Sequence, residues 1–425
     1  MPVAAALCRC PMQALFDIFA QIARTLWAHK LRSFLTMFGI AWGVASLLLL
    51  VGVGEGFRSG NKRGFAEIGQ DVMFVFPGRT PIVRGSQQSG RWYKLTYQDY
   101  LDLSRASHIR AASPVIVRDD IRLVGEYASG SGITLGSEPQ IASIRYLPLK
   151  EGRWLNPTDE AQARNVAVIG TEIVRTLYPG RPVIGSALLL NGVRFEIIGT
   201  LSQIGRGDNV QQNSQIFIPY STMRKYFPLK WANHHDALSY INYQPRIRQE
   251  HELAQQEMRE IIARNHGFDP SDEDSFEEWD SIRSAEMVGK IFDAMNAFLG
   301  FVGLVTLALG AIGVINIMLI SVTERTREIG LRKAMGATNR SILLQFFFEG
   351  TLLTLTSGLI GLGAAFGLTY ALSGLQPPLN FDPPKIVPIS AVLTILSLSV
   401  SGIVAGLYPA RRAAMLTPVE ALRHE

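Results

Sequence analysis

The chain has 425 residues, with 41 Lys+Arg against 36 Asp+Glu, a formal charge of +5 and only 18% charged residues. No charge falls in residues 33–54, 294–323, 350–381 or 386–410, and the rest carries roughly the quarter of charged residues usual for soluble protein. That distribution excludes disorder, a collagen-like repeat and a purely cytosolic enzyme.

Residues 1–33 open the chain. Leu15, Phe19, Ile22 and Leu26 share one helical face, with Asp17, Gln21, Arg24 and Lys30 elsewhere. This predicts a cytoplasmic amphipathic helix lying along the inner membrane surface. Met12, where the pattern begins, is an alternative start to Met1. Cys8 and Cys10 are the only cysteines, so no disulfide framework is expected. Residues 34–54 supply the first span, because about 20 apolar helical residues cross a hydrocarbon core. No small-residue cleavage site follows, so the run reads as an uncleaved anchor.

Residues 55–293 read as a large domain outside the membrane, of two lobes by its length. Strands are expected at 72–76, 166–169 and 215–218, with a helix at 171–178. Asn191-Gly192 between two apolar runs predicts a hairpin, because both turn residues must take positive φ. Residues 249–264 read as a charged helix burying Leu253, Met258, Ile261 and Ile262. His251-Glu252-Leu253-Ala254-Gln255 begins like a zinc-protease helix but lacks the second histidine. His234-His235-Asp236 and Arg206-Gly207-Asp208 read as surface loops. Seven acids crowd residues 269–280 without the glycine and final glutamate of a calcium loop. This stretch reads as a solvated turn and strand with Phe276 and Trp279 inward. No metal site and no nucleophile–base constellation is expected.

Three further spans follow: residues 294–323, 350–376 and 386–408. A cytoplasmic loop (324–349), a short external turn (377–385) and a cytoplasmic tail (409–425) complete the chain. The expected fold is an α-helical membrane protein with four transmembrane helices and a large α+β extracytoplasmic domain inserted between helices 1 and 2. Lys and Arg concentrate in residues 1–32, the 324–349 loop and the tail, which places both termini in the cytoplasm. The same partition accounts for the net charge and leaves no nucleic-acid reading. Spans one, three and four carry Gly39/Gly43, Gly363/Gly367 and Gly402/Gly406, pairs at four-residue spacing that let another backbone approach. No ionisable residue lies inside the predicted spans, which disfavours an ion-coupled transporter.

The loop holds a short charged helix. Glu328 and Arg332 stand at i,i+4 with the acid first, the favourable order, and Glu324 pairs with Arg327 at i,i+3. Gly336 suits its stop, and Thr338 can cap the helix that follows. On these residues alone an ordinary solvated loop fits equally well.

The string KLRSFLTMFGIAWGVASLLLLVGVGEG resembles the first span of ABC-transporter permeases of the macrolide-exporter (MacB-like) type. ERTREIGLRKAMGATNRSILLQFFFEG and the ending GLYPARRAAMLTPVEALRHE resemble the FtsX-type permease domain of that superfamily. GRWLNPTDEAQARNVAVIG, the Asn191-Gly192 hairpin and SQIFIPYSTMRKYF follow the MacB-like periplasmic domain. The likeness covers nearly the whole chain after Met12.

The resemblance implies a bacterial inner-membrane permease that dimerises, with itself or with a paralogue, and binds cytoplasmic ABC ATPase subunits. The 324–337 segment would dock on the ATPase through Glu324, Arg325, Arg327, Glu328, Arg332 and Lys333, with Ile329, Leu331 and Met335 filling a groove. Arg411 and Arg412 would anchor span four at the inner interface. A periplasmic adaptor and an outer-membrane channel are further implied partners. One departure stands out: no Gly-x-x-x-x-Gly-Lys-Ser/Thr phosphate loop occurs in these residues. The ATPase, with its ATP and Mg, is therefore expected on a separate polypeptide, and this chain is expected to be non-catalytic and without a cofactor. Two roles follow. One is export by transmission of ATP-driven motion; the other is FtsX-like or lipoprotein-release-type regulation of the cell envelope.

Overall fold

The computed structural model describes residues 30–80, 90–205, 211–229, 236–375 and 381–417. The N-terminal amphipathic stretch, Cys8 and Cys10, Arg206-Gly207-Asp208 and the His234-His235 pair lie outside the described residues. The chain divides into two compact units, one made of residues up to Gly60 and from Lys290 onward, the other of Asn61–Gly289.

In chain order the helices are α1 (Lys30–Ile68), α2 (Tyr97–Ser104), α3 (Ile141–Ile144), α4 (Pro157–Ala161), α5 (Thr171–Leu177), α6 (Tyr220–Tyr226) and α7 (His251–His266). They continue as α8 (Ser281–Glu324), α9 (Thr326–Ala334), α10 (Asn339–Ser373) and α11 (Pro388–Met415). Among the described residues α1, α8, α10 and α11 are the helices long and apolar enough to cross a membrane.

The unit between the first and second spans is built on one twelve-stranded sheet. Its strands are β1 (Met73–Phe76), β2 (Ile109–Arg118), β3 (Arg122–Val124), β4 (Ser129–Ser131), β5 (Ile133–Ser137) and β6 (Leu149–Gly152). Then come β7 (Val166–Ile169), β8 (Ala187–Leu190), β9 (Val193–Leu201), β10 (Gln215–Pro219), β11 (Tyr240–Pro245) and β12 (Glu277–Asp280). The order is β12-β1-β11-β2-β5-β10-β7-β9-β8-β3-β4, with β6 also on β9. Among the described strands β5/β10 and β7/β9 pair in parallel and the rest are antiparallel. At the β8–β9 turn Asn191 takes φ 46° and Gly192 φ 89°, the geometry expected of that dipeptide.

Side chains alternate across a strand, so continuous apolar runs feed two cores. Ala167, Ile169, Ile216 and Ile218 face one core with Leu103 of α2 and Met258 and Ile262 of α7. Val166, Val168 and Phe217 face the other with Ile141 of α3, Leu147 and Leu155. The strands thus run as a single sheet with a core on each face, where length predicts two lobes. On α7, Met258, Ile261 and Ile262 are buried as expected, but Leu253 is exposed and Ala254 takes the inward place.

Two buried carboxylates fasten this unit. Asp99 completes a capping box with Thr96 on α2 and accepts from His266 Nε2 at 2.9 Å and Asn265 Nδ2 at 2.9 Å, tying α2 to the end of α7. Asp280 lies 2.6 Å from His251 Nδ1 and accepts from Ile282 N–H at 2.7 Å and Arg283 N–H at 3.2 Å. It therefore caps α8 where β12 ends.

In the other unit, α1 and α8 approach where a Cβ on Gly303 would meet Leu47 and one on Gly310 would meet Ile40. α10 and α11 pack through Gly350 against Gly406 and Gly358 against Leu398. Hydroxyls on these helices bond to carbonyls one turn back, as Thr354 Oγ1 does to Gly350 O at 2.9 Å and Ser357 Oγ to Leu353 O at 2.7 Å. Such bonds spare an unpaired hydroxyl in an apolar setting. The segment before α11 lies along α1: Asp382 N–H donates to Gly56 O at 2.9 Å and Ser59 Oγ donates to Asp382 Oδ2 at 2.9 Å.

Candidate functional site

Span two and span three are joined by α9, and local chemistry explains why the chain turns twice there. α8 stops at Glu324, and the Thr326 hydroxyl donates to Val322 O at 3.1 Å and Thr323 O at 2.8 Å, covering carbonyls the helix leaves open. α9 then runs nine residues. Gly336 takes φ 98°, a left-handed position that ends it. Thr338 caps α10 by accepting from Ser341 N–H at 3.2 Å. The expected stop and cap are both present.

Four residues on one side of this segment bind it to the spans. Ile329, 2% exposed, enters the apolar cluster with Val322, Ile342, Phe346 and Ala413. Arg325 lies 3.5 Å from Glu349. Arg332 Nη1 donates to Gln345 Oε1 at 2.9 Å, so the ion pair with Glu328 expected from their spacing does not form. Lys333 Nζ donates to Ala414 O at 2.5 Å and Leu416 O at 2.7 Å, the carbonyls that close α11. A cation there also faces the negative end of a helix dipole, worth about 1–2 kcal/mol in a partly buried setting.

On the other side Glu324, Arg327, Glu328, Leu331 and Met335 are exposed, the last 74%. The nine residues singled out by resemblance therefore split into an anchored set and an outward set. Sequence reasoning missed Glu349, Gln345 and the end of α11 as their partners. Glu349 was placed in the cytoplasmic loop, yet it lies inside α10 and is buried. The cap at Thr338 was the signal that the helix begins well before it.

The glycine pairs also split. Gly402 faces Thr354, and Gly406 faces Phe347 O, both across the α10–α11 contact. Gly43 packs on Thr306 and Leu307 of α8. Gly39, Gly363 and Gly367 have nothing within 4 Å of a built Cβ, so among the described residues they do not pack. Gly358 and Gly361 of α10 take the close contacts instead, Gly361 against Ala41 O of α1. Arg411 and Arg412 are both exposed near the end of α11.

Four membrane-length helices, an α+β unit inserted after the first and a short two-sided helix before the third are the build of a multi-pass membrane protein. A model of the MacB-like periplasmic core domain matches residues 33–261, and one of the FtsX-like permease C-terminal domain matches residues 300–418. The macrolide export ATP-binding/permease protein MacB of Chlorobium luteolum is 32% identical over 405 residues, covering 95% of this chain and 60% of that protein. An uncharacterized ABC transporter permease of Bacillus subtilis, YknZ, is 30% identical over 408 residues, covering 94% of this chain and 96% of that one. The crystallised periplasmic region of MacB from Actinobacillus actinomycetemcomitans superposes with a TM-score of 0.42 at 21% identity, covering 53% of this chain and 95% of that one. The chain thus spans about 60% of the length of the MacB relative and nearly all of YknZ. It belongs to the MacB-like, FtsX-like family of ABC-transporter permeases.

Proposed function

We propose that this chain is the membrane subunit of an ABC-type export system, taking motion from an ATPase at α9 and passing it through the spans to the unit between spans one and two. The supporting observation is the two-sided build of the α9 segment. Its outward residues Glu324, Arg327, Glu328, Leu331 and Met335 offer charge and apolar contact to a partner, and its inward residues hold it to three spans. A merely solvated loop would not need Lys333 and Ile329 turned inward. The ATP and Mg belong to the partner, and the chain itself performs no hydrolysis. The termini and α9 face the cytoplasm, the inserted unit faces outward, and two permease chains work together in the bacterial inner membrane. An adaptor and an outer channel complete the path in a cell with two membranes.

The test is ATP hydrolysis by the partner ATPase reconstituted with the full chain. Wild type stimulates hydrolysis. Arg327→Glu with Glu328→Lys removes most of the stimulation while membrane insertion is kept. Unchanged stimulation contradicts this reading. Capture of an envelope hydrolase in place of an adaptor would move the role from export to cell-envelope regulation.

A further inference from the structure

Resting on that reading, we propose that Lys333 is a positioning residue that clamps α9 to the last turn of α11, so that a displacement of α9 reaches span four directly. By chain connectivity α9 joins only spans two and three. Span four follows only after the whole of α10, a route of more than 70 residues along the chain.

The Lys333 ammonium removes that detour. Its two acceptors, Ala414 O and Leu416 O, belong to the α11 terminus, and no intrahelical N–H can reach them. The side chain is only partly exposed, and Ala413 and Ala414 beside it are buried. Ile329 lies one turn earlier on α9 and shares a cluster with Ala410 and Ala413, so an apolar contact backs the polar one. Arg332 and Arg325 make the corresponding attachments to α10. Lys333 is thus the charged link to the last span, and it faces away from the outward set that would meet a partner. Only a long, flexible cation serves here: a methionine of similar length keeps the stem but loses both hydrogen bonds.

The experiment uses the full chain in nanodiscs with Cys8 and Cys10 replaced by serine. Spin labels are placed at Ala334→Cys, which is not among the residues offered to the partner, and at Met415→Cys, both exposed positions. The clamp predicts a narrow distance distribution that stays fixed when the bound ATPase is taken from ADP to ATP–vanadate. Lys333→Met should broaden the distribution and make it shift with nucleotide. ATPase capture is then retained, and most of the stimulation is lost. Lys333→Arg, which keeps charged donors, should restore the narrow distribution. A Lys333→Met distribution as narrow as wild type, or full stimulation in that variant, overturns the clamp. If wild type captures no ATPase, the proposed function falls, and the label distance in the permease alone still decides the clamp.

Discussion

Asp99 has no exposed surface, and burial alone would raise its carboxyl pKa. The hydrogen bond and charge of His266, with bonds from Asn265 and the Thr96 backbone, outweigh that and hold it below the ordinary 3.8. A carboxylate depressed in the folded state stabilises the protein fully above its unfolded value and loses that contribution as pH falls through the folded one. Asp99→Asn should therefore cost about 1.5–3 kcal/mol at pH 7 and flatten the loss of stability below pH 3.8. Thermal unfolding of the full chain in detergent from pH 7 to pH 3 measures both, and an acid limb unchanged from wild type contradicts the assignment. The Thr96-x-x-Asp99 spacing is a local feature of the sequence. His266 is not, because it arrives from a helix more than 160 residues away. Glu349 teaches the converse. Counting charge-free windows began span three after it, although the acid is tolerated inside α10 because Arg325 reaches it.

Helices and strands with strong local punctuation were legible. The Asn191-Gly192 turn, the 166–169 strand and the Gly336 stop are each fixed by two or three adjacent residues. β4, with the sequence Ser129-Gly130-Ser131, has no strand signal of its own, and its place comes from pairing with β3. The sheet order was equally hidden, since β1 lies between β11 and β12, strands far along the chain. Among the spans, four-residue glycine spacing marks a smooth face but does not say whether this chain fills it. Gly361→Val would drive a side chain into Ala41 O, 2.5 Å from a built Cβ, and should cost about 1–3 kcal/mol. Gly367→Ala, with open space around it, should melt within a degree or so of wild type on the scale of a few tenths of a kcal/mol. Equal melting losses in the two variants would contradict the packing described. At the root of α8, Asp280→Ala removes a cap worth about 1 kcal/mol together with the His251 contact. Faster hydrogen exchange in residues 281–285 should follow; unaltered exchange there would mean the cap is not what holds that turn.

At the scale of the whole molecule, the low charge content resolves into four apolar helices with soluble-type sequence between and around them. The family follows from the matched domains, while the proposed sidedness rests on the Lys/Arg distribution and the proposed coupling on α9. In a chain with Cys8 and Cys10 changed to serine, an impermeant maleimide added to intact cells should label Tyr127→Cys and spare Met335→Cys. Labelling of Met335→Cys alone would invert the topology. The proposed coupling makes the central claim one about motion: work done on the outward face of α9 would arrive where β12 passes into α8. Hydrogen exchange over residues 277–290, followed in the reconstituted permease–ATPase complex, tests it most directly. Protection there should differ between ADP and ATP–vanadate in wild type and become independent of nucleotide in Arg327→Glu with Glu328→Lys. Identical protection in both nucleotide states, in a wild-type complex that is hydrolysing ATP, would contradict it.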